Sequence, residues 1–197
     1  MFNEIFYHLI GRIYKKLQKQ KNKWATAYFI SATGTLSPRS IKHPCYIVGG
    51  QFMQIGKGFQ SGPGLRIEAL NKYDSETFQP QIIIGKNVSC GSNCHLGTIN
   101  RIEIHDNVLI ASNVFITDHQ HGNLIPKERE ILAINRPLYS KGPVVIEQNV
   151  WVGENVAIMP GVRIGANSII GTNAVVTKDV PANSVYAGIP AKLIKQL

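Results

Sequence analysis

Two histidines stand two residues apart in the run Thr117-Asp118-His119-Gln120-His121-Gly122. Imidazole exchanges its proton near neutral pH, and an adjacent carboxylate can hold it in one tautomer and orientation. The pair therefore reads as a general base with Asp118 as its orienting partner. Two other readings stay open: ligands of a metal site, or polar side chains of a solvated loop. Their setting favours chemistry. They open a stretch, 117–145, in which charged and histidine residues replace a regular aliphatic pattern. It closes on Arg136-Pro137-Leu138-Tyr139-Ser140-Lys141-Gly142-Pro143. A long loop thrown from a rigid scaffold is where function concentrates.

The scaffold is legible as a repeat of six. Aliphatic residues recur at Ile146, Val152, Ile158, Ile164, Ile170 and Val176, with a small or apolar residue four later at Val150, Val156, Val162, Ser168, Ala174 and Val180. Ile84, Cys90 and Leu96 repeat the pattern, as do Ile104, Ile110 and Ile116. Asn stands three after the aliphatic position at 87, 93, 107, 113, 149, 155, 167 and 173. A period of six fits neither an α-helix nor a plain alternating strand. It fits a short strand plus a tight turn, with Asn and Gly in the left-handed turn positions. Three hexads make one triangular coil, and coils stack by parallel pairing. Four coils follow, 84–101, 104–121, 146–163 and 164–181, and 45–83 reads as one or two irregular coils with an excursion at 70–81. Cys90 and Cys94 fall on inward positions as small core residues.

On these hexads the chain resembles the hexapeptide-repeat acyltransferases, over roughly residues 45–195. The resemblance implies an all-β fold: a left-handed parallel β-helix with a short N-terminal amphipathic α-helix and a protruding loop at 117–145. Asp106-Asn107-Val108-Leu109-Ile110-Ala111, Asn149-Val150-Trp151-Val152-Gly153 and the run from Val176-Thr177-Lys178-Asp179 to Ala187-Gly188-Ile189-Pro190-Ala191-Lys192 are similar to the galactoside and maltose acetyltransferase branch. That branch implies transfer of acetyl from acetyl-CoA to a hydroxyl or amine, with no metal required. In its members the base lies seven residues after an aliphatic position. Seven from Val114 is His121, which sets His121 ahead of His119.

The resemblance also implies the cofactor contacts. Glu154 would give a backbone N–H to the oxyanion, and the pantetheine arm would pass Gly153, Gly171 and Thr172. Thr177, Lys178, Lys192 and Lys195 match the phosphate-binding end. Asn100, Asp118, Tyr139 and Trp151 are candidates to line the acceptor site. The sugar-gripping residues of the branch are replaced by Gly97-Thr98-Ile99-Asn100-Arg101, so the acceptor is expected to be a polysaccharide or nucleotide-sugar precursor rather than a free galactoside or maltose. A homotrimer with sites between subunits is implied. The competing classes are a zinc hydratase of the carbonic anhydrase type, whose ligand spacing the His119/His121 pair does not match even with His95, and a non-catalytic trimeric scaffold.

Composition bounds the rest. The formal charge of +9 is concentrated in residues 1–24, where Arg12, Lys15, Lys16, Lys19, Lys21 and Lys23 face Glu4 alone. Phe2, Phe6, Leu9, Ile10, Ile13 and Leu17 lie there at helical spacing. Such a helix either caps the open end of the coils or lies peripherally on an anionic membrane. The main fold is only mildly basic, which argues against nucleic acid. No apolar run of 18 residues and no signal peptide is apparent, and three cysteines make no disulfide framework, so a cytoplasmic protein is expected. The expected organisation is a basic helix (1–24), irregular coils (25–83), the repeat domain (84–181) and a cofactor-binding tail (182–197).

Overall fold

The computed structural model describes residues 2–123 and 125–197, and their side chains from Phe6 onward. Short strands wind into a three-faced prism. The first face stacks Ser40–Ile41, Gln60–Ser61, Ser89–Cys90, Leu109–Ile110, Trp151–Val152, Ile169–Ile170 and Ser184–Ala187. The second stacks Cys45–Val48, Leu65–Ala69, His95–Thr98, Phe115–Thr117, Ala157–Ile158 and Val175–Val176, and the third Met53–Ile55, Gln81–Ile84, Arg101–Ile104, Val144–Ile146 and Arg163–Ile164. Neighbours along each face pair in parallel. The exception is the tail strand Lys192–Gln196, which runs antiparallel to Ser184–Ala187.

Every aliphatic hexad position from Ile84 to Val176 is buried, as is the residue four beyond it except at the wide turn and the loop, where Asn100 is exposed and Gln120 half-buried. Ser168 takes one of those places because its hydroxyl donates to the Pro181 carbonyl at 2.8 Å. The eight turn asparagines all adopt left-handed backbone, with φ between 55 and 61°. Their side chains also ladder between coils: Asn93 Nδ2 donates to Asn113 Oδ1, and Asn149 Nδ2 to Asn167 Oδ1, each at 3.2 Å. The coils begin at Ser40, earlier than the hexads alone indicate, because the first two have an irregular spacing.

The N-terminal helix, Phe2–Thr33, continues well past residue 24. It ends where Gly34 takes φ 71° and donates its N–H to the Ile30 carbonyl, a left-handed cap that glycine accepts without strain. Its second half caps the first coil through Ala25 and Phe29, the latter stacked on Phe59 with ring centroids 5.5 Å apart. The apolar stripe of the first half, Phe6, Ile10, Ile13 and Leu17, is exposed. No described helix is long and apolar enough to cross a membrane.

Three departures from the hexad all occur at one corner, between the second and third faces, on three successive coils. The first is the hairpin Lys72–Tyr73 with Glu76–Thr77. The second is a wider turn: eight residues separate Leu96 from Ile104, where six separate Ile158 from Ile164. The third is the long loop, between Phe115–Thr117 and Val144–Ile146.

Candidate active site

The long loop leaves the prism as an antiparallel ladder, His119–His121 against Leu138–Ser140. Alternate residues of a strand face opposite sides, so His119 and His121 share one side with Leu138, and Gln120 and Tyr139 take the other. The shared side closes a cavity of about 350 Å³. Arg66, Glu68, Tyr73, His95, Phe115 and the two histidines are among its walls.

Asp118 does not line this cavity. It is fully buried, and its carboxylate accepts from the Thr98 hydroxyl and from the backbone N–H groups of Ile99 (3.0 Å), Asn100 (2.8 Å) and Arg101 (2.7 Å). The wide turn of the preceding coil exists as this cage: its two surplus residues let three successive amides point at one anion. The fifth partner is His119, whose Nδ1 lies 3.0 Å from Asp118 Oδ1. A nitrogen facing a carboxylate carries the proton, which leaves the lone pair on Nε2. Asp118 was expected to touch the acceptor, and burial removes it from that role; it orients His119 instead. His119 keeps 15% of its side chain accessible, while His121 is exposed and sets its ring edge-on to Tyr73, 5.4 Å between centroids.

The other expected residues lie elsewhere on the protomer. Asn100 is exposed near the loop, its Nδ2 3.4 Å from Ser140 Oγ. Tyr139 faces away from the histidines with Gln120, and Trp151 sits half-exposed on the first face beside its strand partner Leu109. Gly153-Glu154 and Gly171-Thr172 stack at the corner between the first and second faces. The N–H groups of Glu154 and Thr172 have no backbone acceptor among the described residues. Both glycines serve the stacking itself. A Cβ on Gly153 would stand 2.7 Å from Thr172 N, and one on Gly171 2.8 Å from the Ala187 Cβ. Thr177 and Lys178 are exposed at the same corner as the loop, two coils on, and Lys192 and Lys195 are exposed on the tail strand.

Sequence reasoning missed Arg66, Glu68, Tyr73 and Phe115 as wall residues. The alternation of Leu65, Ile67 and Ala69 already turns Arg66 and Glu68 outward. Counting coils also puts the 70–81 excursion and the long loop on one corner. That shared corner explains why the Tyr73 hydroxyl reaches the Ile134 carbonyl at 2.9 Å.

Two stretches match family descriptions: residues 143–178 the bacterial transferase hexapeptide (six repeats), and residues 81–118 the hexapeptide repeat of succinyl-transferase. A protein of Escherichia coli K12 named as a lipopolysaccharide biosynthesis O-acetyl transferase, WbbJ, is 38% identical over 161 residues, 80% of this chain and 79% of its own. The chain belongs to the hexapeptide-repeat acetyltransferases. Its fold is accordingly the left-handed parallel β-helix of that family, carrying an N-terminal helix and one long loop. Among solved structures, a maltose O-acetyltransferase from Clostridium difficile 630 superposes with a TM-score of 0.63 at 28% identity, over 92% of this chain and 88% of that one. A galactoside acetyltransferase in complex with coenzyme A gives 0.51 at 36% identity, over 66% and 64%. The hydratase alternative finds no support in these relatives. Among the described residues no group of three or more His, Cys, Asp or Glu is arranged around a common metal position.

Proposed function

We propose that the chain transfers an acetyl group from acetyl-CoA to a hydroxyl of a sugar in a polysaccharide or nucleotide-sugar precursor, with His119 as general base. The observation that carries this is the Asp118–His119 pair, a caged carboxylate holding an imidazole with its free nitrogen available. A sugar hydroxyl ionises far above neutral pH, so its proton must leave as its oxygen attacks the thioester carbon. His119 Nε2 takes that proton, and the C–O bond forms. The oxyanion is met by a fixed donor, for which the unpaired Glu154 N–H is the candidate. Collapse then breaks the C–S bond, and the imidazolium returns its proton to the departing thiolate. The family register points to His121 instead, but that histidine is exposed and its ring has no hydrogen-bond partner among the described residues.

The active assembly is proposed to be a homotrimer. Glu154 and Thr172 occupy a different corner of the prism from His119, so one protomer's oxyanion donor and pantetheine contacts meet the histidines of a neighbour rather than its own, with Lys178 supplied from the histidines' side. Leu109 and Trp151, exposed side by side on the first face, supply an apolar contact. The basic N-terminal half-helix, whose apolar stripe turns away from Ala25 and Phe29, is proposed to rest on anionic lipid; retention on phosphatidylglycerol vesicles, lost in a chain lacking residues 1–20, tests this. The transfer itself is tested by following thiol release from acetyl-CoA against nucleotide sugars and glycans. Release that no acceptor accelerates would overturn it.

A further inference from the structure

A second imidazole faces the same cavity. His95 stands one coil before the histidine loop, on the second face, where it pairs in register with Phe115. Its Nε2 lies 2.8 Å from Glu68 Oε2, and a Cβ on the intervening Gly97 would touch both His95 Nε2 and His119 Cε1, at 3.4 and 3.6 Å. Glu68 is 9% accessible and is itself held by Arg66, through Nε at 2.7 Å and Nη2 at 3.0 Å. The acetyl transfer itself calls on none of these three side chains.

Its chemistry follows from the hydrogen bonds. Glu68 accepts the Nε2 proton, so Nδ1 of a neutral His95 holds a lone pair, and it makes no hydrogen bond among the described residues. Burial pushes the His95 pKa below its ordinary value, against the opposing pull of Glu68 and with help from Arg66 and His119. The free Nδ1 of such an imidazole accepts and does not donate, so its partner must be a donor such as a hydroxyl. Beside it the Phe115 ring, 5.2 Å away and 38% exposed, presents an apolar face. The formal charges on the cavity wall, Arg66 and Glu68, cancel each other. Such a wall suits an uncharged ring.

We propose that His95 is an acceptor-binding residue: held by Glu68, its Nδ1 takes a hydrogen bond from a second hydroxyl of an uncharged sugar ring that lies on Phe115 while His119 works on the first. This rests on the acetyl-transfer reading above and adds the class of acceptor to it. The test uses p-nitrophenyl galactoside and glucoside, and the glycoside that the thiol-release screen favours, each with its monodeoxy analogues. His95→Ala should raise the KM for the better glycoside about five- to tenfold, as loss of one net hydrogen bond does. kcat should stay within about twofold and the KM for acetyl-CoA unchanged. His95→Asn, which keeps an acceptor oxygen, should recover part of the loss. One deoxy analogue should show the same penalty with the parent enzyme and no further penalty with His95→Ala. Penalties that simply multiply, or an acceptor KM unmoved in His95→Ala, overturn the assignment. A parent enzyme whose thiol release no glycoside, nucleotide sugar or glycan accelerates brings down the acetyl-transfer reading first, and this one with it.

Discussion

Replacing Asp118 by Asn tests the caged pair directly. The carboxylate serves five donors: the Thr98 hydroxyl, three backbone N–H groups and His119 Nδ1. Oδ2 takes three of them, the Thr98 hydroxyl and the Asn100 and Arg101 amides, and Oδ1 takes the other two. An asparagine seated with its oxygen in place of Oδ2 turns its NH₂ on the Ile99 amide and on His119; the flipped seating leaves three donors without an acceptor. A buried donor left unpaired costs about 1–3 kcal/mol. Because the imidazole can shift its proton and accept from that NH₂, the Ile99 N–H alone stays unpaired, which predicts a loss of about 1–3 kcal/mol, a sizeable part of a domain's total stability. The tautomer changes as well. An amide NH₂ facing Nδ1 drives the imidazole proton to Nε2, where the base needs its lone pair, so kcat should fall about 10²- to 10⁴-fold. Urea titration followed by fluorescence reads the first quantity and acceptor-dependent thiol release the second. His119→Ala is the control, losing the rate while leaving the four other donors of the cage satisfied. An Asp118→Asn protein that unfolds within about 0.5 kcal/mol of the parent and keeps its rate would refute both parts.

Further outcomes follow from the same structure. Gly153→Ala puts a Cβ 2.7 Å from Thr172 N; the coils must separate, and a fall in melting temperature equivalent to about 1–3 kcal/mol is expected by calorimetry. Lys178→Ala or Lys192→Ala should raise the KM for acetyl-CoA about tenfold with little change for the acceptor, if each meets a phosphate by a charge-assisted bond. Trp151→Glu should shift sedimentation from trimer to monomer. Glu147 accepts the Ala166 N–H at 2.8 Å and faces Arg163, which together hold its carboxyl below the ordinary value. A depressed folded-state pKa adds stability above about pH 4.3 that is lost as pH falls through the folded value, so Glu147→Gln should flatten the acid limb of the stability curve.

Much of the scaffold was legible because its signal is local and repeated. Each inward aliphatic residue and each turn asparagine announces itself within six positions, and each is found where that spacing puts it. The helix end is not legible from charge, which stops near Lys23; it lies at Gly34, where the backbone changes hand. The loop was recognised from its break in register, yet its inner geometry was not. Asp118 and His119 are adjacent in sequence, and nothing local shows that one turns inward to a cage built by Thr98–Arg101 while the other turns to the cavity. The same holds for Arg66, Glu68 and Tyr73, which join the site only because three irregular corners stack on consecutive coils. Pairing across coils is a tertiary fact, and a count along the chain recovers it only once the coil lengths are known.

In the proposed transfer an imidazole fixed on Asp118 takes the proton of a sugar hydroxyl as its oxygen attacks the thioester of acetyl-CoA. Single-turnover mixing of acetyl-CoA with a saturating glycan acceptor, with the product weighed by mass spectrometry, tests it most directly. A product one acetyl group heavier, formed by the parent and by His121→Ala but slowed at least about a hundredfold in His119→Ala, is the predicted result. Turnover that survives in His119→Ala and vanishes in His121→Ala would contradict it.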